Sequence, residues 1–420
     1  MERLEAQQKG INRLAVEHAC PRALVDSVPS VGVMRPLTSI LHVQDGDFRF
    51  ASRVLKESRV ALRRGWARRI DLLGLEIDGS ASVEEREAGL WVHRVVSPPS
   101  ERICGRAITA VRLVVRWWRF IRAGRRLKCD LIHCHSFGAL VPSVVLGIIH
   151  RAPVVYDAHE LESQAGQPPV RAALALAIEL LCIRRVRAVI CVSGSIADWY
   201  AQRFGIARPH VVRNVPDVAS QQHAAEGSPL RDWLGIPAED LLFLYQGALS
   251  PGRRIQQLLR VFRNVPLDRH LVFMGYGVLE PEISAAAAER PNIHLFPAVP
   301  PDQVLLHTRG ADVGICGVDN VCLSYYYSLP NKLFEYLHAG VPVLVPEWPE
   351  MLRIVKEYGC GWLVGEDDTA WSNAVIRLDR PMITSVAHAS RAASAHLLWE
   401  SEADVLLAAY SAALRDMGDA

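Results

Sequence analysis

The chain has 420 residues, half of them hydrophobic and 22% charged, with 47 Lys plus Arg against 45 Asp plus Glu for a net charge of +2. At roughly 150 residues per domain this supports two domains, each with a sizeable core. The composition excludes a disordered or collagen-like chain, and the even charge balance argues against wholesale nucleic-acid binding.

Residues 1–36 mix charges with Pro and hold no continuous apolar run, so they read as a poorly ordered N-terminal extension without a signal peptide. From Thr38 onward β-rich runs at 39–43, 69–73, 91–95, 131–134, 154–157, 188–192 and 210–213 alternate with helical stretches, for example 51–64, 107–127 and 170–187. That alternation predicts βαβ units and a parallel sheet. The charge-free stretch 131–150 carries three His, Pro142 and two Gly, so it reads as strand, loop and helix and not as a membrane span. A polar linker, 217–240, with a short helix at its end, precedes a second series of runs at 241–245, 270–273, 293–296, 313–316, 343–345 and 361–364. The tail, from about 387 to 414, has the pattern of one long helix able to cross both halves. The expected class is α/β: two Rossmann-like domains, 37–217 and 218–395, with a cleft between them and a C-terminal helix, 396–420, crossing back. The nine Cys lie in scattered positions without a C-x-x-C pair, several in apolar runs, and read as reduced core residues.

Ligands in open α/β sheets sit at the carboxyl ends of strands. Three constellations stand there. The first is Ser328-Leu-Pro-Asn-Lys-Leu-Phe-Glu335, ending in Gly340. Pro330 suits the first helical position, the free N–H groups of the first turn form an anion site, Lys332 adds a positive charge, and Glu335 suits a diol such as ribose. The alternative is an ordinary capped helix with a solvent-facing Lys and Glu. The second is Gly247-Ala-Leu-Ser-Pro-Gly252-Arg253-Arg254, a glycine turn leading to paired Arg, which suits a phosphate or is simply a turn. The third is Asp157-Ala-His159-Glu160, three titratable groups at the end of a buried strand. His159 there is placed to contact a sugar hydroxyl or move a proton, unless these side chains cap the next helix. Cys129, His133, Cys134 and His135 imitate a metal cluster, but strand alternation puts His133 and His135 on one face and Cys134 on the other, so no metal site is expected.

Together these segments resemble the retaining GT-B glycosyltransferases of family 4, from roughly residue 37 to 414. The carriers are Asp130-Leu-Ile-His-Cys-His135, Tyr156-Asp-Ala-His-Glu160, Cys191-Val-Ser-Gly-Ser195, Val212-Arg-Asn-Val-Pro-Asp217, Gly247-x5-Arg253 and Pro330-Asn-Lys-Leu-Phe-Glu335. The resemblance implies an N-terminal acceptor-side domain and a C-terminal nucleotide-sugar domain, with UDP- or GDP-linked sugar as co-substrate and no cofactor. It makes Glu335 the ribose contact, His159 the histidine beside the reacting sugar, and Gly275 and Gly277 a loop near the nucleotide. The first Glu of the family's E-x7-E motif is replaced by Tyr327, so backbone groups of Ser328 to Asn331 are expected to substitute for it, and Ala248 stands where some members carry Arg.

With no Asp-x-Asp metal signature suitably placed, Arg253, Lys332 and the helix start at Pro330 are expected to neutralise the leaving diphosphate without metal, during front-face displacement with retention. His159, Arg253 and Lys332 are the expected catalytic groups; Glu335, Asn331, Pro330, Ser328, Gly247, Gly275, Gly277, Asp157 and Glu160 the expected substrate contacts. Arg112, Arg116, Arg119, Arg122 and Arg126 fall on one helical stripe among Trp117, Trp118, Phe120 and Ile121. That stripe suits an anionic membrane and a lipid-linked or glycan acceptor, or else is the solvated face of a sheet-packing helix. The expected place is the cytoplasm, peripheral on the inner membrane face, in polysaccharide or glycoconjugate assembly. The rivals are a non-catalytic nucleotide-binding or scaffolding member of the same fold and, poorly supported, a nicotinamide oxidoreductase, whose G-x-G-x-x-G turn is missing after the first strand.

Overall fold

The structure, a computed structural model, describes residues 37–48, 51–76, 81–96, 106–218 and 229–415, with 106–110 and 229 as backbone only. The 1–36 extension lies outside the described residues. Eight strands, β1 (Leu37–Gln44), β2 (Ala67–Glu76), β3 (Val83–Glu87), β4 (Leu90–Val96), β5 (Leu131–His135), β6 (Val154–Ala158), β7 (Ala188–Cys191) and β8 (His210–Val211), form one sheet in the order β3-β4-β2-β1-β5-β6-β7-β8. Every pairing in it is parallel except β3 with β4. Six more, β9 (Leu241–Gln246), β10 (Arg269–Gly275), β11 (Ile293–Pro297), β12 (Val313–Ile315), β13 (Val343–Pro346) and β14 (Gly361–Val364), form a wholly parallel sheet in the order β11-β10-β9-β12-β13-β14.

The alternation expected of parallel strands is present in each half. In the first sheet Ile40, Ile70, Val155 and Ile190 pack on one face, and their neighbours Leu41, Val154 and Val189 on the other. Helices cover both faces, so a strand such as β9 is buried along its whole length. One strand escapes a sequence reading. β3 is Val-Glu-Glu-Arg-Glu, mostly exposed, with no apolar period, and it exists as an antiparallel edge held by its neighbour β4.

The tail also differs from expectation. It is two helices, Arg380–His396 and Trp399–Arg415, broken at Leu397, whose carbonyl accepts a hydrogen bond from His338 Nε2 at 2.9 Å. The break turns the last helix back onto the first sheet, where Trp399, Leu406 and Tyr410 are buried beside Ile40 and Ile70. Arg213 fastens it there, its backbone N–H and its Nε each donating to Glu402 at 2.7 Å. The expected short helix before β9 is Pro229–Leu234. No helix among the described residues is long and apolar enough to cross a membrane.

Candidate active site

The carboxyl ends of the two sheets face a cleft of about 430 Å³. Its second-sheet wall begins where β9 ends. Gly247 has φ +110°, a conformation that a side chain would strain, and it turns the chain sharply toward Arg253. The turn is held from behind by Gly275: a Cβ there would lie 1.9 Å from the Gly247 carbonyl oxygen, and one at Gly277 would lie 2.3 Å from that of Leu249. Both glycines were expected as a loop near the nucleotide. They lie behind the turn and shape it, and neither lines the cleft.

The paired Arg separate. Arg254 is buried, donating to Val318 O at 2.8 Å, Gln257 Oε1 at 2.7 Å and Glu366 O at 3.0 Å. Arg253 lines the cleft; its guanidinium stacks on Tyr325, 4.8 Å from the ring centroid, and its Nε is buried without a hydrogen-bond partner. From the opposite direction comes the helix Asn331–His338. Pro330 is its N-cap, in extended conformation, and not its first helical residue as the sequence suggested; no side chain caps the helix, so its first N–H groups are free of a cap. Lys332 on the first turn puts its Nζ 3.5 Å from the Tyr245 ring centroid. Burial, reinforced by Arg253, pulls the Lys332 ammonium down to about 7, with Cys316 and Glu335 pulling the other way. Neither Arg253 nor Lys332 is paired with a carboxylate among the described residues. Glu335, one turn on, accepts a hydrogen bond from Gln246 Nε2 at 2.6 Å, and burial pushes its carboxyl up against that bond.

The first-sheet wall is built behind β6. His159 lines the cleft, with its Nε2 2.9 Å from Asp157 Oδ2. Asp157 itself is fully buried and does not reach the cleft, correcting the expectation of a substrate contact. It accepts two bonds from Arg53, Nε at 2.7 Å and Nη2 at 2.9 Å, while Arg53 Nη1 donates to Val212 O at 2.8 Å. Burial alone would raise the Asp157 carboxyl; Arg53 and His159 overcome it and hold the group well below the usual carboxylate range. Glu57 sits 3.2 Å from Arg53 Nε and has the opposite balance: burial, which Arg53 only partly offsets, pushes it up. Of the two carboxylates beside Arg53, Asp157 therefore carries the charge.

Deeper still, His42 Nδ1 lies 2.9 Å from His135 Nε2, and His133 Nδ1 2.8 Å from the Tyr410 hydroxyl. His133 and His135 do share one face, as strand alternation required, and Cys134 turns the other way, its thiol 3.6 Å from Ser136 O. Glu57, His133, His135 and Asp157 bring potential ligand atoms within 4.8 Å of one another. Arg53, 2.7 Å from Asp157 and 3.2 Å from Glu57, already supplies fixed positive charge to these carboxylates.

Ser328, Pro330, Asn331, Gly247 and Glu160, the other expected substrate contacts, line the same cleft. Tyr327 does not: its ring packs on the apolar core of the first half and its carbonyl accepts a hydrogen bond from Ser193 Oγ at 2.9 Å. Arg53, Gln246, Ser324 and Tyr325 line the cleft without having been singled out. For Arg53 a signal existed, since Arg53, Lys56 and Glu57 occupy inward positions of an otherwise amphipathic helix.

A family model described as Glycosyltransferase Family 4 matches residues 59–219, and one described as Glycosyl transferases group 1 matches residues 240–380. Between them they span more than two thirds of the chain. The chain belongs to the GT-B glycosyltransferases of family 4 type. This glycosyltransferase is 28% identical over 192 residues to a D-inositol 3-phosphate glycosyltransferase of Mycobacterium avium (strain 104), a match covering 44% of each. It thus spans less than half the length of that curated relative. Its fold is similar to sucrose-phosphate synthase from Thermosynechococcus elongatus, with a TM-score of 0.72 at 17% identity, covering 89% of this glycosyltransferase and 98% of that chain. It is also similar to Anabaena HepE in complex with UDP and glucose, with a TM-score of 0.68 at 16% identity, covering 89% and 99%.

Proposed function

We propose that this glycosyltransferase moves a hexosyl-type sugar from a UDP- or GDP-linked donor to an acceptor hydroxyl with retention of configuration, residues 37–217 serving the acceptor and 218–395 the donor. The observation that carries this reading is the pair of cations, Arg253 and Lys332, without carboxylate partners on one cleft wall beside an uncapped helix start. Departure of a nucleoside diphosphate concentrates negative charge on its terminal phosphate, and preorganised donors at that point lower the barrier. Arg253 offers a planar fork, Lys332 a point charge and the first turn of Asn331–His338 its N–H groups. The departing phosphate takes the proton of the attacking hydroxyl on the same face, so no separate base is required of the chain. Glu335, steadied by Gln246, holds the ribose diol. That HepE was crystallised with UDP-glucose supports a nucleotide-sugar donor on this fold.

The test is donor-dependent release of free nucleoside diphosphate from a panel of UDP- and GDP-sugars, with the anomeric configuration of the product read by NMR. Thermal stabilisation by donors without any release would favour the second reading, a non-catalytic nucleotide-binding or scaffolding protein, which the withdrawal of Tyr327 from the cleft motivates.

The acceptor is a lipid-linked or glycan precursor of a polysaccharide or glycoconjugate, met at the anionic inner face of the membrane. On the helix Arg106–Gly124 the side chains of Val111, Val114 and Trp118 are exposed, with Arg122 stacked on Trp118 and Arg125 and Arg126 following. Ile148 and Ile149 of the adjoining helix Leu140–His150 extend that surface. The five-Arg stripe is not uniform, because Arg116 pairs with Asp45 at 2.9 Å and Arg119 donates to Val96 O at 2.7 Å. Sedimentation with anionic and neutral vesicles tests the docking, and equal binding to both counts against it.

A further inference from the structure

We propose that Arg53 and Asp157 are positioning residues that lock one tautomer of His159, so that its Nδ1 faces the cleft as a bare hydrogen-bond acceptor for a hydroxyl of the sugar. The inference rests on the cleft being the transfer site proposed above. Arg53 is always charged and fills both oxygens of Asp157, at 2.7 and 2.9 Å. A carboxylate so held has no proton to give, and it accepts only. The contact at 2.9 Å between His159 Nε2 and Asp157 Oδ2 therefore needs the proton on Nε2. In the neutral ring Nδ1 is then unprotonated, and it is the nitrogen left for the cleft that His159 lines.

The lock is built from distant parts of the chain. Arg53 comes from the helix Ser52–Arg63, Asp157 from β6, and Arg53 is tied in turn to the carbonyl of Val212 after β8. His135 at the end of β5 supports the same carboxylate, its Nδ1 3.4 Å from Asp157 Oδ2, and its ring meets that of His159 edge-on at 5.6 Å. None of Arg53, Asp157 and His135 needs to touch substrate for this. Without the lock the imidazole can rotate and can carry its proton on either nitrogen, so the acceptor is presented for only part of the time.

The chemistry so recognised is a hydroxyl-bearing sugar. An acceptor nitrogen discriminates against a deoxy or O-methyl sugar at the position it reads, because both remove the donated proton.

Two readouts test the proposal. Protein labelled with 15N-histidine, with the His159 signals identified by their loss in His159→Gln, reports the tautomer without turnover. The expected wild-type pattern is the neutral Nε2-protonated ring, and Asp157→Asn is expected to give a mixture. Because Asp157→Asn takes the bidentate carboxylate from a buried guanidinium and leaves it beside Glu57, the double variant Arg53→Met/Asp157→Asn, which removes both charges, is measured beside it. Either variant, once shown folded by circular dichroism, is expected to lose roughly 100-fold in kcat with the donor KM within a few-fold, and Asp157→Glu to recover part of it. An unchanged Nε2-protonated His159 in the folded double variant, or its kcat within twofold of wild type, overturns the proposal. Failure of the wild type to turn over any donor would refute the transfer reading while leaving the NMR result to decide the lock.

Discussion

Lys332 is the residue whose charge state depends most directly on whether the cleft is filled. Burial brings its ammonium down to about 7. A bound diphosphate brings negative charge beside it and raises that value. Below pH 7 the group is already protonated and binding moves no proton. Above 7 binding takes up to one, so affinity falls as pH rises, by at most tenfold per unit, until the raised value of the complex is passed. Calorimetry of UDP or GDP binding at pH 8, in two buffers of different ionisation enthalpy, should report uptake approaching one proton, and Lys332→Met should abolish it. The two adjacent Arg should respond in opposite ways. Arg253→Ala is expected to cost roughly 100-fold in kcat with the denaturant midpoint unchanged. Arg254→Ala takes the donor from Gln257 Oε1 and removes a buried guanidinium packed beside the Trp348 and Trp371 rings, and should cost about 2–4 kcal/mol of stability in a urea titration. By residue type the two are alike, and only the resemblance, through Gly247-x5-Arg253, singles out the first. The left-handed backbone at Arg254, φ +57°, is part of what separates them, and no residue pattern announces it.

Among the elements, the glycine turn after β9 fixes where Arg253 begins. Gly275→Ala would thrust a methyl into the Gly247 carbonyl, so the turn must shift. We expect a loss of about 1–3 kcal/mol, read by thermal or urea unfolding, together with a raised donor KM. Elements whose burial follows their own apolar pattern were legible: the strands of both sheets other than β3, and the helix carrying Lys332 and Glu335. Those defined by a neighbour were not. β3 depends on β4 for its backbone partners, and the break at Leu397 depends on a histidine almost sixty residues away. The site divides the same way. His159, Arg253, Lys332 and Glu335 follow strand ends or open a helix, where a sequence can be searched, whereas Arg53 reaches the cleft from a helix packed on β2, its side chain held by Asp157 of β6.

At the scale of the whole molecule, the two halves meet around the cleft through polar contacts and through Leu323 and Tyr327, which pack on the core of the first half. Ser324 Oγ accepts from the Leu161 N–H at 3.2 Å, and Ser195 donates to Glu350 Oε1 through its backbone N–H at 2.8 Å and its Oγ at 2.6 Å. The helix Trp399–Arg415 adds an apolar bond of a different order, since Trp399 is 1% exposed against the sheet β1–β8, on the far side of the second half in sequence. Trp399→Ala should cost about 3–5 kcal/mol. Hydrogen exchange should show the loss mainly in β1–β8, with β9–β14 keeping their protection.

That last helix also sets an order of assembly during synthesis. When β8 has left the ribosome, the face bearing Ile40, Ile70 and Ile190 is covered only in part, by Val54, Leu55, Val60 and Ala61 of the helix Ser52–Arg63. The rest of its cover, the helix Trp399–Arg415, is translated only after the whole second sheet. The half made first must therefore wait, with part of an oily surface open to chaperones, until the second half has been made and Trp399–Arg415 follows it, while the half made second already holds within itself most of what it needs to close.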